Sequence, residues 1–435
     1  MINITNKEQC CGCASCVQKC PKHCITLHED NEGFLYPQID KDICVECGLC
    51  EKVCPVLMPY QPCKPLKVLA AINKDEKIRM ESSSGGIFTI LAETIINERG
   101  VVFGARFDED WQVTLDYTDT IEGLAAFRGS KYVQAQIGDT YKQCEQFLKA
   151  GRKVLYTGSP CQIAGLKHYL RKEYDNLTTC DFSCHGVPSP KVWRMYLKEV
   201  VSGAYKAISD IEFRNKDNGW KSFNFKLSYD AESKKTTLSS CHRQNLYMRA
   251  FLNNMILRPS CHVCSAKEGR SKSDITIADF WRIQTHHPDM DDDKGTGLVL
   301  IHSYKGLNLI DFSRIKYVDS SYEIALLTNR GLNPSAKPHK NRNKFFYEFE
   351  TTESLNNLIF RLTKPSIKEI VILSILHPIQ TMRRFAKLIT GGVIYRNQNS
   401  VIYPSVSTAK NLIYLVNFRD KHDGWYTYKM VIELK

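Results

Sequence analysis

The chain has 435 residues, 43% of them hydrophobic and 24% charged, a globular composition that excludes a disordered or fibrous protein. No apolar stretch reaches the length of a membrane span; the longest near the C-terminus, Ile370 to Leu376, stops at His377-Pro378. The net charge of +12 has no nucleic-acid-binding motif behind it, and charge alone does not argue for such a partner.

Eighteen cysteines suggest a secreted disulfide framework until their spacing is read. Residues 1–9 are polar and run straight into the first cysteine, so no signal peptide is expected. A reducing cytoplasm and thiolate ligands are expected instead. Two runs come first: Cys10-x2-Cys13-x2-Cys16-x3-Cys20-Pro21 and Cys44-x2-Cys47-x2-Cys50-x3-Cys54-Pro55. This is the doubled spacing of a two-cluster bacterial-type ferredoxin, in which the fourth cysteine of each run ligates the other run's cluster. One 4Fe-4S cluster is expected on Cys10, Cys13, Cys16 and Cys54, and a second on Cys44, Cys47, Cys50 and Cys20. Zinc sites use two CxxC pairs or Cys/His mixtures, and this spacing speaks against them. Cys11 and Cys24 fall off the pattern and read as bystanders. Residues 1–60 form the cluster module, and residues 61–67 a linker.

Beyond the linker, Val68 to Ile72 reads as a strand. Ser82-Ser83-Ser84-Gly85-Gly86 opens a helix to about Arg99, with Gly100 as its C-cap. Val101 to Phe107 is a strand, and the alternating Trp111 to Tyr117 pairs with it. A helix over Asp139 to Ala150 leads to the strand Lys153 to Tyr156, the turn Thr157-Gly158-Ser159-Pro160 and a helix from Cys161 to Arg171. Leu177 to Phe182 is a strand ending at Ser183-Cys184-His185-Gly186. Pro188 and Pro190 introduce a helix to Val201. Strands dominate from Ile208 to Leu238; a helix runs to Ile256, followed by Cys261-x2-Cys264. Asp274 to Ala278 and Gly297 to His302 are strands. Interleaved helices and strands give an α/β or α+β fold. No G-x-G-x-x-G follows a strand, so a Rossmann dinucleotide site is not supported.

Four further cysteines stand at element ends. Cys161 falls in the first turn of a helix, where the dipole stabilises a thiolate. Cys184 ends a strand, and Cys261 and Cys264 form a CxxC pair. Together they suit a third four-cysteine cluster, a zinc knuckle, a redox-active thiol or unrelated buried thiols, and spacing alone does not choose among these. Ser82 to Gly86 suits an anion cradle at a helix N-terminus, or equally a serine cap with glycines for close packing. Arg128-Gly129-Ser130-Lys131-Tyr132 offers a cation and an aromatic ring in one loop, which suits a phosphate and a flat ring system or, more plainly, an ordinary surface loop.

Five segments in order then carry a resemblance: Ser83-Ser84-Gly85-Gly86, Gly129-Ser130-Lys131-Tyr132, Thr157-Gly158-Ser159-Pro160-Cys161-Gln162, Cys184-His185-Gly186-Val187-Pro188-Ser189, and Cys261-x2-Cys264 with Asp274-Ile275 and Asp279-Phe280-Trp281. Over residues 1–310 the chain resembles the β-subunit family of coenzyme F-420 hydrogenases and dehydrogenases, preceded by a two-cluster ferredoxin module. That family carries FAD and iron–sulfur clusters. Some members exchange hydride with coenzyme F-420, others reduce different substrates, and members with this layout occur near surface-polysaccharide genes. The resemblance implies a mixed α/β flavin-binding domain over residues 68–330. It implies a flavin site from Ser84, Gly85, Gly86, Lys131, Tyr132, Gly158, Ser159 and Pro160, and it favours the third cluster on Cys161, Cys184, Cys261 and Cys264.

The expected function is an iron–sulfur flavoprotein oxidoreductase. It would pass electrons between the clusters and FAD to reduce or oxidise a small organic substrate or a deazaflavin, because flavin converts single electrons into hydride. The alternatives are an electron-transfer subunit of a larger complex and a reductase serving surface-polysaccharide biosynthesis. A ferredoxin or other redox protein would dock near residues 1–60. His185 is the candidate proton donor, against the plainer reading of a hydrogen-bonded structural histidine. Asp279 would orient flavin or substrate, or simply end a strand. Residues 331–435 form a basic region read as helical and of unknown role. Between Lys337 and Arg396 stand eleven Lys/Arg against four Glu and no Asp. This stretch suits peripheral membrane contact or an acidic partner, or more plainly a solvated basic face.

Overall fold

The computed structural model describes residues 2–202, 207–231 and 234–364, together with strands within 400–433. It divides into two units, Met1–Thr363 and Lys364–Lys435. The first unit opens with the cysteine runs. Each winds into a short helix, α1 (Ser15–Lys19) after a left-handed Ala14 (φ 57°) and, past the hairpin of β1 (Ile25–Glu29) and β2 (Leu35–Ile39), α2 (Leu49–Lys52) after a left-handed Gly48 (φ 68°).

After the linker, β3 (Lys67–Asn73) leads to α3 (Glu76–Glu81) and α4 (Ile87–Asn97). The serine-glycine run is therefore a turn between two helices, and Asp75 caps the first of them by accepting from Ile78 N at 3.0 Å. Ile87, Ile90, Leu91 and Ile95 recur at helical spacing and are buried against the sheet. The left-handed residue ending α4 is Arg99 (φ 59°), one position before the expected Gly100. Then come β4 (Val101–Phe107), β5 (Val113–Thr118), α5 (Thr140–Lys149), β6 (Val154–Gly158), α6 (Pro160–Leu170), β7 (Leu177–Phe182) and α7 (Pro190–Val200). Ser189 caps α7 by accepting from Val192 N, and Pro190 fills the first helical position. A three-stranded antiparallel sheet of β8 (Ile208–Asn215), β9 (Asn224–Ala231) and β10 (Lys234–Cys241) precedes α8 (Leu246–Leu252). Last come β11 (Ile275–Asp279), β12 (Gly297–Ile301) and β13 (Ile315–Ser320).

The main sheet has eight strands in the order β13-β3-β12-β11-β7-β6-β4-β5. Its middle four, β11, β7, β6 and β4, run parallel, and the strands outside them run antiparallel. Buried on both faces, the parallel strands read as nearly continuous apolar runs. One face packs on α4 through Leu69, Val102, Leu155 and Ile275, and the other on α5 and α6 through Val101, Phe103, Val154 and Tyr156. A third core, dominated by Trp193, Phe213, Tyr247, Phe251 and Phe345, joins α7 and α8 to the small sheet and to the helices Arg342–Phe349 and Leu355–Thr363.

The register places Gly158 opposite Asp181 and Phe182 opposite Ile277. The carboxyl ends of β6, β7 and β11 therefore lie side by side, where open α/β sheets gather their ligands. In the second unit, β14 (Ser400–Thr408), β15 (Asn411–Asp420) and β16 (Gly424–Glu433) form an antiparallel meander. The expected helix thus holds for 342–349 and 355–363, but 400–433 is strand. Lys368, Arg383, Arg384 and Lys387, on which the membrane-contact reading leans, lie outside the described residues.

The cysteine module is held firmly to the sheet domain. Ser15 Oγ donates to Gly165 O at 2.8 Å, and Gln18 Oε1 accepts from Tyr141 N at 3.1 Å and Lys142 N at 3.2 Å. At the hairpin tip, Arg342 forks onto the Glu32 carboxylate at 3.1 and 2.5 Å, both side chains being nearly buried. Glu32→Ala strands that guanidinium without its partner, a loss of about 3 kcal/mol. In denaturant melts the single variant should lose that stability, and the Glu32→Leu/Arg342→Leu double variant should recover most of it.

Candidate cluster and cofactor site

The twelve expected ligand cysteines fall into three groups. In the first, the Cys16 thiol is pushed well up by burial and then by its neighbours Cys13, Cys10 and Cys54. Burial followed by Cys13 pushes Cys54 up to about 11. The second group rings a pocket formed by Cys20, Cys44, Cys47 and Cys50, with Cys47 exposed. The third rings a pocket formed by Cys161, Cys261 and Cys264, closed on the module side by Glu8, Cys11 and Val56. Cys184 belongs with it: burial first, and then Cys261, Cys161 and Cys264, hold its thiol protonated.

Among the described residues no three His, Cys, Asp or Glu side chains converge as ligands of a single ion; the thiols ring spaces instead. Thiols crowded in buried places resist ionising together, and a multi-iron cluster removes that resistance by supplying positive charge. The donor sets suit that group.

Two cysteines read as bystanders stand inside these rings. Cys24 Sγ lies 3.4 Å from Cys20 Sγ. Burial, then Cys20 and Cys44, push its thiol up to about 12. Cys11 lies between the first and third groups. Its hydrogen bond lowers Cys13 to about 7, and it is also the largest influence lowering Cys161. Ser159 Oγ lies 3.3 Å from Cys161 Sγ on the other side. Residue spacing hides these roles because both contacts are set by folding.

Sequence reading also missed Arg258. Its side chain is 0% exposed. Nε donates to Cys10 O at 2.7 Å, Nη2 to Leu35 O at 2.9 Å and to Cys10 Sγ at 3.5 Å, and Nη1 to Gln134 Oε1 at 3.1 Å. Its ring neighbour is Tyr36, 4.3 Å from centroid to guanidinium. Gly12 (φ 73°) lies directly over it, where a Cβ would stand 2.9 Å from Nη1.

Of the expected flavin residues, two turns are brought together. Ser130 N donates to Ser83 Oγ at 2.7 Å. Arg214 ties both loops down, donating to Tyr132 Oη at 3.2 Å and Ser83 O at 3.2 Å while forking onto Asp279 at 2.8 and 3.0 Å. Trp220 Nε1 adds a bond to Asp279 at 2.9 Å, and its ring stacks on Trp281 at 4.8 Å. Among the described residues Lys131 donates to the carbonyls of Arg128 and Gly129. It is half-buried, and burial holds its ammonium down to about 7. A desolvated cation without a carboxylate beside an aromatic ring suits an anionic, flat cofactor.

The serine-glycine turn serves packing. A Cβ on Gly85 would stand 2.4 Å from Ala71 O, the Ser84 hydroxyl donates to Thr296 O, and Ser84 O accepts from the buried Lys216. Gly86 O accepts from Asn73 Nδ2. The Gly158-Ser159-Pro160 turn is placed beside the third thiol group through Cys161. His185 meets the edge of the Phe251 ring, whose face stacks on Tyr132. Burial keeps its imidazole below the ordinary value, against the bond to Asn254.

Residues 9–58 match the 4Fe-4S dicluster domain, and residues 151–320 match the C-terminal region of the coenzyme F420 hydrogenase/dehydrogenase beta subunit. A subunit of the F(420)H(2) dehydrogenase of Methanosarcina mazei is 23% identical over 171 residues, 37% of this chain and 49% of that protein. The coenzyme F420-dependent sulfite reductase of Methanocaldococcus jannaschii is 28% identical over 171 residues, 38% of this chain and 26% of that one. A 7Fe ferredoxin from Hydrogenibacillus schlegelii is 47% identical over 55 residues, 12% of this chain and 64% of the ferredoxin. The chain spans about half the length of the first of these relatives. It joins a segment that matches the 4Fe-4S dicluster domain to one that matches the C-terminal region of the coenzyme F420 hydrogenase/dehydrogenase β subunit.

Proposed function

We propose that the chain is an iron–sulfur flavoprotein oxidoreductase acting on a small organic substrate or a deazaflavin. The carrying observation is the placement of a third thiol group, Cys161, Cys184, Cys261 and Cys264, between the dicluster module and the carboxyl edge of the parallel strands. Cys10, Cys13, Cys16 and Cys54 would hold one cluster, Cys20, Cys44, Cys47 and Cys50 a second, and the edge cysteines a third. The clusters supply one-electron transfer, and FAD the exchange between single electrons and hydride.

The chain's own residues prepare the flavin end. Lys131 attracts the phosphates, Tyr132 offers a ring face, and the buried Arg214–Asp279 pair keeps the 128–132 loop against the serine turn. His185 touches the same aromatic wall and remains the candidate for a proton near the substrate. The deazaflavin reading draws support from the two relatives whose names carry coenzyme F420. Docking of a ferredoxin or another redox protein at the module draws support from Ile43 and Val45, 50% and 56% exposed beside the second thiol ring.

Anaerobic purification with iron, sulfide and flavin measured together tests the reading. About twelve iron atoms per chain are expected, four for each cubane, with about one flavin; a preparation rich in iron and free of flavin removes the central claim. Cys161→Ser or Cys261→Ser should lower the count to about eight. Because Lys131 loses its proton near pH 7, FAD affinity of the apoprotein should fall as pH rises from about 6 to about 8.5. Lys131→Met should flatten that slope and weaken binding at the acid end about tenfold, read by flavin fluorescence quenching.

A further inference from the structure

We infer that Arg258 is a shared counter-ion for two cluster sites, raising the reduction potential of both the Cys10–Cys13–Cys16–Cys54 site and the Cys161–Cys184–Cys261–Cys264 site. The inference rests on the reading that both thiol groups hold iron–sulfur clusters.

Other deeply buried arginines carry a carboxylate: Arg79 has Asp292, Arg214 has Asp279 and Arg342 has Glu32. Arg258 is buried more completely, yet its polar partners are two carbonyls, a carboxamide and the Cys10 sulfur. An uncompensated cation in such a place costs several kcal/mol. Negative charge must therefore come from its sulfur neighbours. On one side Arg258 bonds to Cys10, and its charge also lowers Cys13. On the other side Arg258 stands in one turn with Cys261, whose N donates to Arg258 O at 2.9 Å, and the third thiol pocket is lined by Ser260 and Cys261 together with Cys11, the neighbour of the Gly12 that lies over the guanidinium.

Cysteine-ligated clusters gain negative charge on reduction, so a fixed cation between two of them favours both reduced states and raises both potentials. The Cys20–Cys44–Cys47–Cys50 ring is not among its polar partners and serves as an internal reference. Gly12 suits the same packing, since a Cβ there would stand 2.7 Å from Gln134 Nε2 and 2.9 Å from Arg258 Nη1, and its positive φ favours glycine besides.

The test is an anaerobic redox titration of the full reconstituted chain, followed by EPR, with iron counted on each sample. Cys161→Ser identifies the signal of the third cluster. In Arg258→Gln the first and third midpoints should move down, each by about tenfold in the one-electron equilibrium constant, about 59 mV, while the reference cluster stays. Arg258→Lys should restore most of the shift. Gln134→Glu, nearly isosteric, sets a carboxylate on Nη1 and should lower the same two midpoints.

Unchanged midpoints in either the Gln134 or the Arg258 variant with full iron overturn the counter-ion role, as does an equal shift in all three. If Arg258→Gln fails to hold iron, Gln134→Glu decides alone on the same criterion. About eight iron atoms in the unaltered chain would instead overturn the third cluster beneath the proposal, a result visible in the count before any potential is measured.

Discussion

A positive charge held out of water at the seam between the cysteine module and the sheet domain constrains everything around it. Arg258 is reached from Cys10, Leu35 and Gln134, three segments far apart in the chain. Each must arrive with its acceptor correctly aimed, because a buried guanidinium leaves no tolerance for a missing partner. Gly12 leaves room for Gln134 and the guanidinium beneath it, and α1 docks independently against α5 and α6 through Ser15 and Gln18. The module is thus a fixed part of the larger domain. The separation between the first and third thiol groups is then a property of packing, which suits electron transfer better than a tether would.

The second organising feature is the parallel middle of an otherwise antiparallel sheet. Parallel neighbours end together, so β6, β7 and β11 deliver Cys161, Cys184 and Asp279 to one edge. Asp279 reaches the small sheet through Arg214, and Arg214 reaches the loops of Ser83 and Tyr132. One ion pair therefore sets the position of two turns belonging to different elements. Buried pairs of this kind add little to stability against an apolar alternative and more to a defined arrangement. Here the arrangement is the meeting of the serine turn with the 128–132 loop.

What was legible in the sequence was local. The doubled cysteine spacing is a contiguous pattern, and the strands Val101–Phe107 and Leu177–Phe182 stand where their apolar runs put them. The interleaving of strands with helices pointed to a mixed fold, and Ser159-Pro160 marked the start of α6. What escaped was non-local. Arg258 lies 248 residues from Cys10, and nothing beside it in the chain marks it as buried. Cys11 and Cys24 break the repeat, so the pattern that revealed their neighbours concealed them. Gly85 looked as much like a phosphate cradle as like a packing residue, and only the approach of Ala71 O distinguishes these. The strands of 400–433 fall in a region whose basic charge drew the reading toward a helix.

The third thiol pocket is walled by Glu8, Cys11 and Val56 on one side and by Cys161, Cys261 and Cys264 on the other. A long stretch of chain separates its two walls, and translation makes them at different times. The edge site cannot close until residue 264 has emerged and α1 has docked. Assembly therefore has an order written into the fold: this pocket can close only after the sheet domain has been made and α1 has docked on it.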